Sequence, residues 1–336
     1  MNIAIVGATG NVGRKIIEML EKKQINIENL FLLASKNSEG KKINYNGKEH
    51  TVTNLEKFDF SSVKIAFFAA GSEVAEKWAH VAAEKTIVID NSKYFRKDPD
   101  IPLIVPEVNS KKLSDVKNKN IIANANCSVI PVVVALKPLH DLYNINRIVA
   151  STYQSVSGAG KSAMDELLSQ TEDYFQNKEI DSKNFTKQIA FNAIPHIDSF
   201  LENGYTKEEQ KTTDEIKKIL DKKIKVTSTC VRIPVLVSHC ISANVEFNKK
   251  CDLDEIRKVL STSPGCKVID EHQDGGYITP VEAEDKFETF ISRIRLDESR
   301  ENTINLWIVS DNLVKGAALN AVQIAESLIT NDFYGR

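Results

Sequence analysis

The stretch that most restricts the fold is the first. An apolar run, Asn2–Val6 (NIAIV), enters Gly7-Ala8-Thr9-Gly10-Asn11-Val12-Gly13 and leaves as Arg14–Lys23, with Ile16, Ile17 and Leu20 on one helical face. A strand, a glycine turn and a helix in that order let backbone approach a pyrophosphate closely and aim a helix N-terminus at it. The GxxGxxG spacing is a relative of the GxGxxG dinucleotide fingerprint. The same letters could make a mere tight turn, but the strand before and the helix after favour the dinucleotide. Further strand patterns at Leu30–Ala34, Lys64–Ala70, Thr86–Asp90 and Leu103–Val105, with a helix over Glu73–Glu84, predict a mostly parallel, doubly wound sheet. An NAD enzyme usually places an acid at the end of the second strand for the ribose hydroxyls. Here Ser35-Lys36-Asn37-Ser38, followed by Lys41 and Lys42, offers hydroxyls and positive charge to a 2′-phosphate, which favours NADP.

A second feature lies at Ile121-Ile122-Ala123-Asn124-Ala125-Asn126-Cys127-Ser128, where a strand-like run stops at a cysteine. The helical pattern Val129–Leu142 that follows carries Pro131 in its first turn, where a missing N–H costs nothing, so Cys127 is expected at a helix N-terminus. That position favours thiolate over thiol. A free cysteine is more often plain core, but the flanking Asn and Ser are polar. The chain has five cysteines, an odd number with no CxxC pair, which argues against a disulfide framework and a structural zinc site and suits a reducing, cytoplasmic compartment. A net charge of -2 provides no basic surface for nucleic acid, and no apolar run approaches a bilayer span.

Beyond Cys127, the strand pattern Arg147–Gln154 runs into Ser155-Val156-Ser157-Gly158-Ala159-Gly160-Lys161-Ser162, whose end mimics a phosphate-binding loop; Ser155 stands where such a loop requires its first glycine. Tyr174 and Lys178 have YxxxK spacing but sit in a charged, hydrophilic stretch that reads as an exposed helix and its exit. Thr206–Leu220 reads as an amphipathic helix whose charges form a solvated face. Arg232, in the β-rich run Val226–Val237, can meet His239 only if the chain bends or crosses near Ser238, because side chains alternate along a strand. Strands at Cys240–Phe247, Cys266–Asp270, Phe287–Leu296 and Thr303–Val309, then a helix over Val314–Ile329, make the second half α+β.

GATGNVG (7–13), FRKDPDIPLIVPEVN (95–109), NANCS (124–128), STYQSVSGAGKSAMDEL (151–167), FNAIPHID (191–198), TCVRIPVLVSHC (229–240) and SDNLVKGAALNAVQIAE (310–326) together resemble the aspartate-semialdehyde dehydrogenase family over essentially the whole chain. The resemblance implies a Rossmann-like domain over 1–126, completed by a C-terminal helix (312–336), and a catalytic and dimerisation domain over 127–311. It implies NADPH-dependent reduction of β-aspartyl phosphate to aspartate β-semialdehyde and phosphate, on the route to lysine, threonine and methionine, by a homodimer or dimer of dimers. By the same resemblance Cys127 is the nucleophile, Gln154 orients the substrate and His239 is the acid/base. Arg232 grips the substrate carboxylate, Glu215 meets its ammonium, and Arg96, Asn126 and Lys218 bind phosphate. Thr9, Gly10, Asn11, Val12, Ser35, Ser38, Ala70, Gly71, Ser157, Gly158 and Asn312 match cofactor contacts.

Two departures stand out: Asn37 replaces an arginine that many members carry, and the segment Thr171–Asn192 is short where some members insert a helical piece. The chemistry fits independently, since a thiolate can expel phosphate from an acyl phosphate and a substrate with carboxylate, ammonium and phosphate needs a guanidinium, a carboxylate and a cationic pocket. N-acetyl-glutamyl-phosphate reductase remains an alternative, although its acylated substrate amine has no use for a carboxylate such as Glu215. A catalytically inactive NADP-binding relative is the other.

Overall fold

The computed structural model describes residues 1–331. Its first strand, β1 (Asn2–Val6), lies within a seven-stranded sheet, and its residues Ile3 to Val6 are fully buried. The sheet also contains β2 (Asn29–Ala34); a hairpin of β3 (Lys42–Tyr45) and β4 (Lys48–Thr51) stands apart from it. The remaining strands are β5 (Thr53–Asn54), β6 (Ile65–Phe68), β7 (Ile87–Asp90), β8 (Leu103–Ile104) and β9 (Ile121–Asn124). Their order is β5-β2-β1-β6-β7-β9-β8 and every pairing is parallel, as near-continuous apolar strands joined by helical crossovers require. Helices Asn11–Lys22 and Ser72–Ala83 supply two of those crossovers. The strand order turns outward in both directions from the gap between β1 and β6, the place where such sheets bind ligands beyond the carboxyl ends of their strands. The hairpin was not foreseen. Its turn, Asn46-Gly47, has φ of 50° and 74°, the left-handed pair that a two-residue hairpin loop needs.

These strands form one compact unit, Met1–Ala125, which also includes the described chain from Ala317 to Asn331. Helix Leu319–Thr330 is tied into the unit through Asn320, whose Nδ2 donates to Ile104 O at 3.1 Å and to Asn124 Oδ1 at 2.6 Å. The expected C-terminal helix is seen to Thr330; residues 332–336 lie outside the described residues.

Asn126–Gly316 form the second unit. Its six strands are β10 (Ile145–Gln154), β11 (Lys225–Arg232), β12 (His239–Phe247), β13 (Cys266–Val268), β14 (Thr289–Leu296) and β15 (Thr303–Ser310), in the order β11-β10-β12-β15-β14-β13. The sheet is mixed, with β10/β11 and β13/β14 parallel and the pairs between them antiparallel. Helix Val129–Tyr143 is buried on all sides from Val129 to Leu136. Its Pro138 cannot donate to the Val134 carbonyl, and Cys266 Sγ reaches that oxygen at 3.6 Å instead. Among the described residues no helix is long and apolar enough to cross a membrane.

Candidate active site

In the first unit, Gly7 (φ +86°) ends β1, and its N–H donates to Leu33 O of β2 at 2.8 Å. A Cβ on Gly7 would lie 2.6 Å from Ala69 O, and one on Gly13 would lie 2.2 Å from Gly7 O, so neither position admits a side chain. No side chain caps the helix that starts at Asn11, and a helix N-terminus after a glycine turn favours an anion. The turn borders a cleft of about 650 Å³ lined by Thr9, Gly10, Ser35, Lys36, Asn37 and Ala70 among others. Ser38 closes the adjoining turn onto Ser35 O at 2.9 Å, and Gly71 (φ +84°) opens helix Ser72–Ala83. A helix start without a side-chain cap, glycines that admit close approach and a cationic lip at Lys36 suit a phosphorylated dinucleotide. Arg96 also belongs to this unit; it is buried and its Nη2 donates to Asn91 O at 3.1 Å.

In the second unit, Cys127 precedes helix Val129–Tyr143, and Asn126 fixes the turn between them. Asn126 Oδ1 accepts from Ser128 N and Ser128 Oγ, both at 2.8 Å, while its Nδ2 donates to Glu208 Oε1 at 2.9 Å and its backbone N–H to Glu215 Oε2 at 2.6 Å. Gly316 lies directly behind the cysteine, since a Cβ there would be 3.0 Å from Cys127 Cβ. The half-buried Sγ of Cys127 stands 3.3 Å from His239 Nε2.

The sheet explains how Arg232 and His239 come together. β10 pairs with β11 on one side and β12 on the other, so the chain from Arg232 to His239 crosses the end of β10 at Gln154. Ser238 makes the bend at φ +74°, with its N–H donating to Asn312 Oδ1 at 2.8 Å. Asn312 is presented by a turn that Asp311 caps, its Oδ1 accepting from Leu313 N at 2.8 Å and Val314 N at 2.9 Å. Ser155, the next residue after β10, then serves both partners: its carbonyl accepts from Arg232 Nη1 at 2.6 Å and its N–H donates to His239 Nδ1 at 3.1 Å. Gly158 faces the same pair, for a Cβ there would lie 3.1 Å from Arg232 Nη1 and 3.3 Å from His239 Nε2. Ser157 and Asn312 bond to each other at 3.0 Å.

Burial first, and then the Arg232 charge, lower His239 from the usual 6.5 to about 3. The ring is wholly enclosed and is therefore neutral around pH 7. The unfolded chain takes up the proton at the ordinary value, so the stability that depends on neutral His239 is complete above pH 6.5 and is lost as the pH falls towards 3. One proton corresponds to a slope of at most about 1.4 kcal/mol per pH unit. His239→Gln should flatten the slope by that amount in denaturant unfolding across this range; equal slopes for parent and variant would contradict a neutral buried ring.

Helix Lys207–Ile219 departs most from its reading as a solvated face. Thr206 caps it in a reciprocal box with Glu209, and Glu208, Glu209 and Glu215 are all buried. Glu215, expected to meet a substrate ammonium, is instead committed to the Asn126 backbone N–H. The carboxylate beside the site's side chains is Glu208, one turn closer to the helix start than Thr212: its Oε1 accepts from Asn126 and, at 3.4 Å, from Gln154 Nε2, and its Oε2 meets Lys211 Nζ at 2.6 Å. Lys218 is half-buried two helical turns beyond Lys211. Sequence reasoning missed Glu208 and Lys211, although Glu208-Lys211 and Glu215-Lys218 repeat one spacing along one helical face and periodicity alone could not choose between them. Asn126, expected to bind phosphate, also holds the Cys127 turn through its amide.

Comparison with known proteins agrees with both units. Residues 2–116 match the family model described as semialdehyde dehydrogenase, NAD binding domain, and residues 136–315 match semialdehyde dehydrogenase, dimerisation domain. A curated aspartate-semialdehyde dehydrogenase of Rickettsia bellii is 49% identical over 98% of this chain and 97% of its own. The chain belongs to the aspartate-semialdehyde dehydrogenase family. A second family member, from Aquifex aeolicus, is 49% identical over 97% of each chain. The crystal structure of aspartate semialdehyde dehydrogenase II from Vibrio cholerae complexed with ASA superposes with a TM-score of 0.96 at 47% identity, covering 98% of both chains. Membership makes the chain an oxidoreductase with a nicotinamide-dinucleotide domain.

Proposed function

We infer that the protein reduces β-aspartyl phosphate to aspartate β-semialdehyde and phosphate with NADPH, through a thioester on Cys127. The observation that carries this reading is the Cys127–His239 contact at a helix start, next to a buried arginine and a buried carboxylate. The Cys127 thiolate attacks the acyl carbon, the bond to the phosphate oxygen breaks, and a thioester remains. When bound, the nicotinamide would supply a hydride to that carbonyl. His239 Nε2 faces the sulfur and steadies the oxygen of the resulting thiohemiacetal, which collapses to aldehyde and returns the thiolate. Arg232, held on the Ser155 carbonyl, takes the substrate carboxylate and Glu208 its ammonium; Gln154, between them at the end of β10, orients the acyl group. Lys211 supplies positive charge beside Glu208, and Asn126 holds the turn that aims the thiol. The phosphate roles of Arg96 and Lys218 are supported by the family resemblance alone.

The dinucleotide is assigned to Thr9, Gly10, Asn11, Val12, Ser35, Ser38, Ala70 and Gly71 in the first unit, and to Ser157, Gly158 and Asn312 in the second. Lys36 replaces the missing arginine at Asn37 as the cation for a 2′-phosphate. One charge-assisted contact of about 1.5–3 kcal/mol corresponds to a preference for NADP over NAD of roughly tenfold or more in kcat/KM. Equal values for the two cofactors would remove Lys36 from that role.

The dimerisation-domain match supports a homodimer or dimer of dimers, which sedimentation showing monomer alone would contradict. Five free cysteines support a cytoplasmic location, testable by fractionation. The reaction is tested by phosphate-dependent NADP reduction with aspartate β-semialdehyde and with its N-acetylglutamate counterpart. Activity with the first alone is expected. Activity with the acetylated aldehyde would point to the reductase alternative, and activity with neither to an inactive relative.

A further inference from the structure

We propose that Gly316 is a positioning residue: together with Asn312 on the same short turn it sets the separation of Cys127 from His239, because that one turn braces both members of the pair. The inference rests on the assignment of Cys127 and His239 to the reaction centre. The turn follows β15 and runs into a π-helical stretch, Val314–Ala318 (VKGAA), where the Gly316 N–H donates to Asp311 O at 2.9 Å with the i to i+5 spacing of a π-turn. Backbone conformation does not call for glycine here. Gly316 is not among the glycines with left-handed φ, and in a helical turn alanine is the better residue. What excludes a side chain is Cys127: a Cβ on Gly316 would lie 3.0 Å from the cysteine Cβ and 3.2 Å from both its Cα and its carbonyl oxygen. Its three nearest neighbours would thus belong to one residue, at separations that oblige either the cysteine or the turn to give way by a few tenths of an ångström.

Neither can give way alone. On the cysteine side, Asn126 is held by Glu215 and Glu208, and its Oδ1 holds Ser128. On the other side the turn is pinned by the fully buried Asp311, whose Oδ1 accepts from Leu313 N and Val314 N and whose Oδ2 accepts from Asp285 N at 2.8 Å. Next to Asp311, Asn312 Oδ1 gathers three donors: Ser238 N–H at 2.8 Å, Ser155 Oγ at 3.1 Å and Ser157 Oγ at 3.2 Å. The first fixes the left-handed bend from which His239 starts, and the second belongs to the residue whose N–H meets His239 Nδ1 at 3.1 Å. If the turn retreats from a new side chain, it takes the support of His239 with it. If the cysteine retreats, its Sγ leaves the place where it stands 3.3 Å from His239 Nε2. Either response changes the contact across which thiol and imidazole exchange a proton, a transfer that needs hydrogen-bond reach.

The test is Gly316→Ala in the full-length protein. The variant should bind NADP like the parent and turn over aspartate β-semialdehyde with kcat down about tenfold and KM within about twofold, the loss expected of a sub-ångström misplacement. Alkylation of Cys127 by iodoacetamide, located by mass spectrometry, should slow about fivefold at about pH 7 and regain the parent rate at about pH 10, where the thiol is ionised in both proteins. A parental kcat and alkylation profile would overturn the proposal. So would a kcat that falls only in proportion to the folded fraction, or alkylation slowed equally at both pH values, which is shielding and not misplacement. Asn312→Gln lengthens the brace from its other end and serves if Gly316→Ala does not fold. Measured without dinucleotide, its alkylation at about pH 7 should also be slowed and restored at about pH 10, and an unshifted profile would overturn the brace. Turnover retained by Cys127→Ser would instead remove the reading of the reaction itself, whatever Gly316→Ala does.

Discussion

Cys127→Ser is expected to lower turnover by three orders of magnitude or more, on the order of what removal of a covalent nucleophile costs, while dinucleotide binding stays at the parental level. The second half of the expectation follows from the architecture, because the glycine turn and the cleft at Ser35 and Lys36 belong to the first unit and Cys127 to the second. The same residue should be the fast site of alkylation. Cys230 and Cys240 are raised to about 12 by burial, and Cys251 is also raised by burial, whereas Cys127 is half-exposed at a helix start next to His239. Mass spectrometry that puts the first adduct on Cys230, Cys240, Cys251 or Cys266 would reject Cys127 as the nucleophile.

Arg232→Lys is the second large effect. The guanidinium is buried and already spends Nη1 on the Ser155 carbonyl, so its remaining donors hold a fixed direction into the site. Lysine keeps the charge but lacks the planar fork: its three donors share one nitrogen and cannot hold the Ser155 carbonyl and grip a substrate carboxylate bidentately at once. KM should rise and kcat fall together, with kcat/KM down on the order of 10²-fold, since a substrate misplaced by about 1 Å also loses its alignment for transfer. An unchanged kcat with a raised KM would mean that Arg232 binds without positioning.

The parallel sheet was legible because apolar strands and amphipathic helices alternate along the chain from Asn2 to Asn124, and each period is local. The hairpin at Asn46-Gly47 had its signal in the dipeptide and was overlooked, since its strands are short and polar. The meeting of Arg232 and His239 was only conditionally legible. A bend or crossing near Ser238 could be named as a requirement, but the insertion of β10 between their strands is a long-range pairing that no local pattern records. Helix Lys207–Ile219 failed for the opposite reason, as charge was read as exposure. Its buried Glu208, Glu209 and Glu215 are each bonded to an amide or an ammonium, the condition under which a carboxylate can leave water. The expectation at Glu215 arose from the same reading, since Glu208 and Glu215 lie two turns apart on one helical face.

The most direct measurement is made with aspartate β-semialdehyde and NADP in the absence of phosphate, where the reverse reaction must stop before the acyl group can leave. One equivalent of NADPH per active site should appear in a burst, and digestion should find an aspartyl thioester on the peptide bearing Cys127 and on no other. A burst-free trace with no acyl adduct, or an adduct on a different cysteine, would contradict covalent catalysis at Cys127.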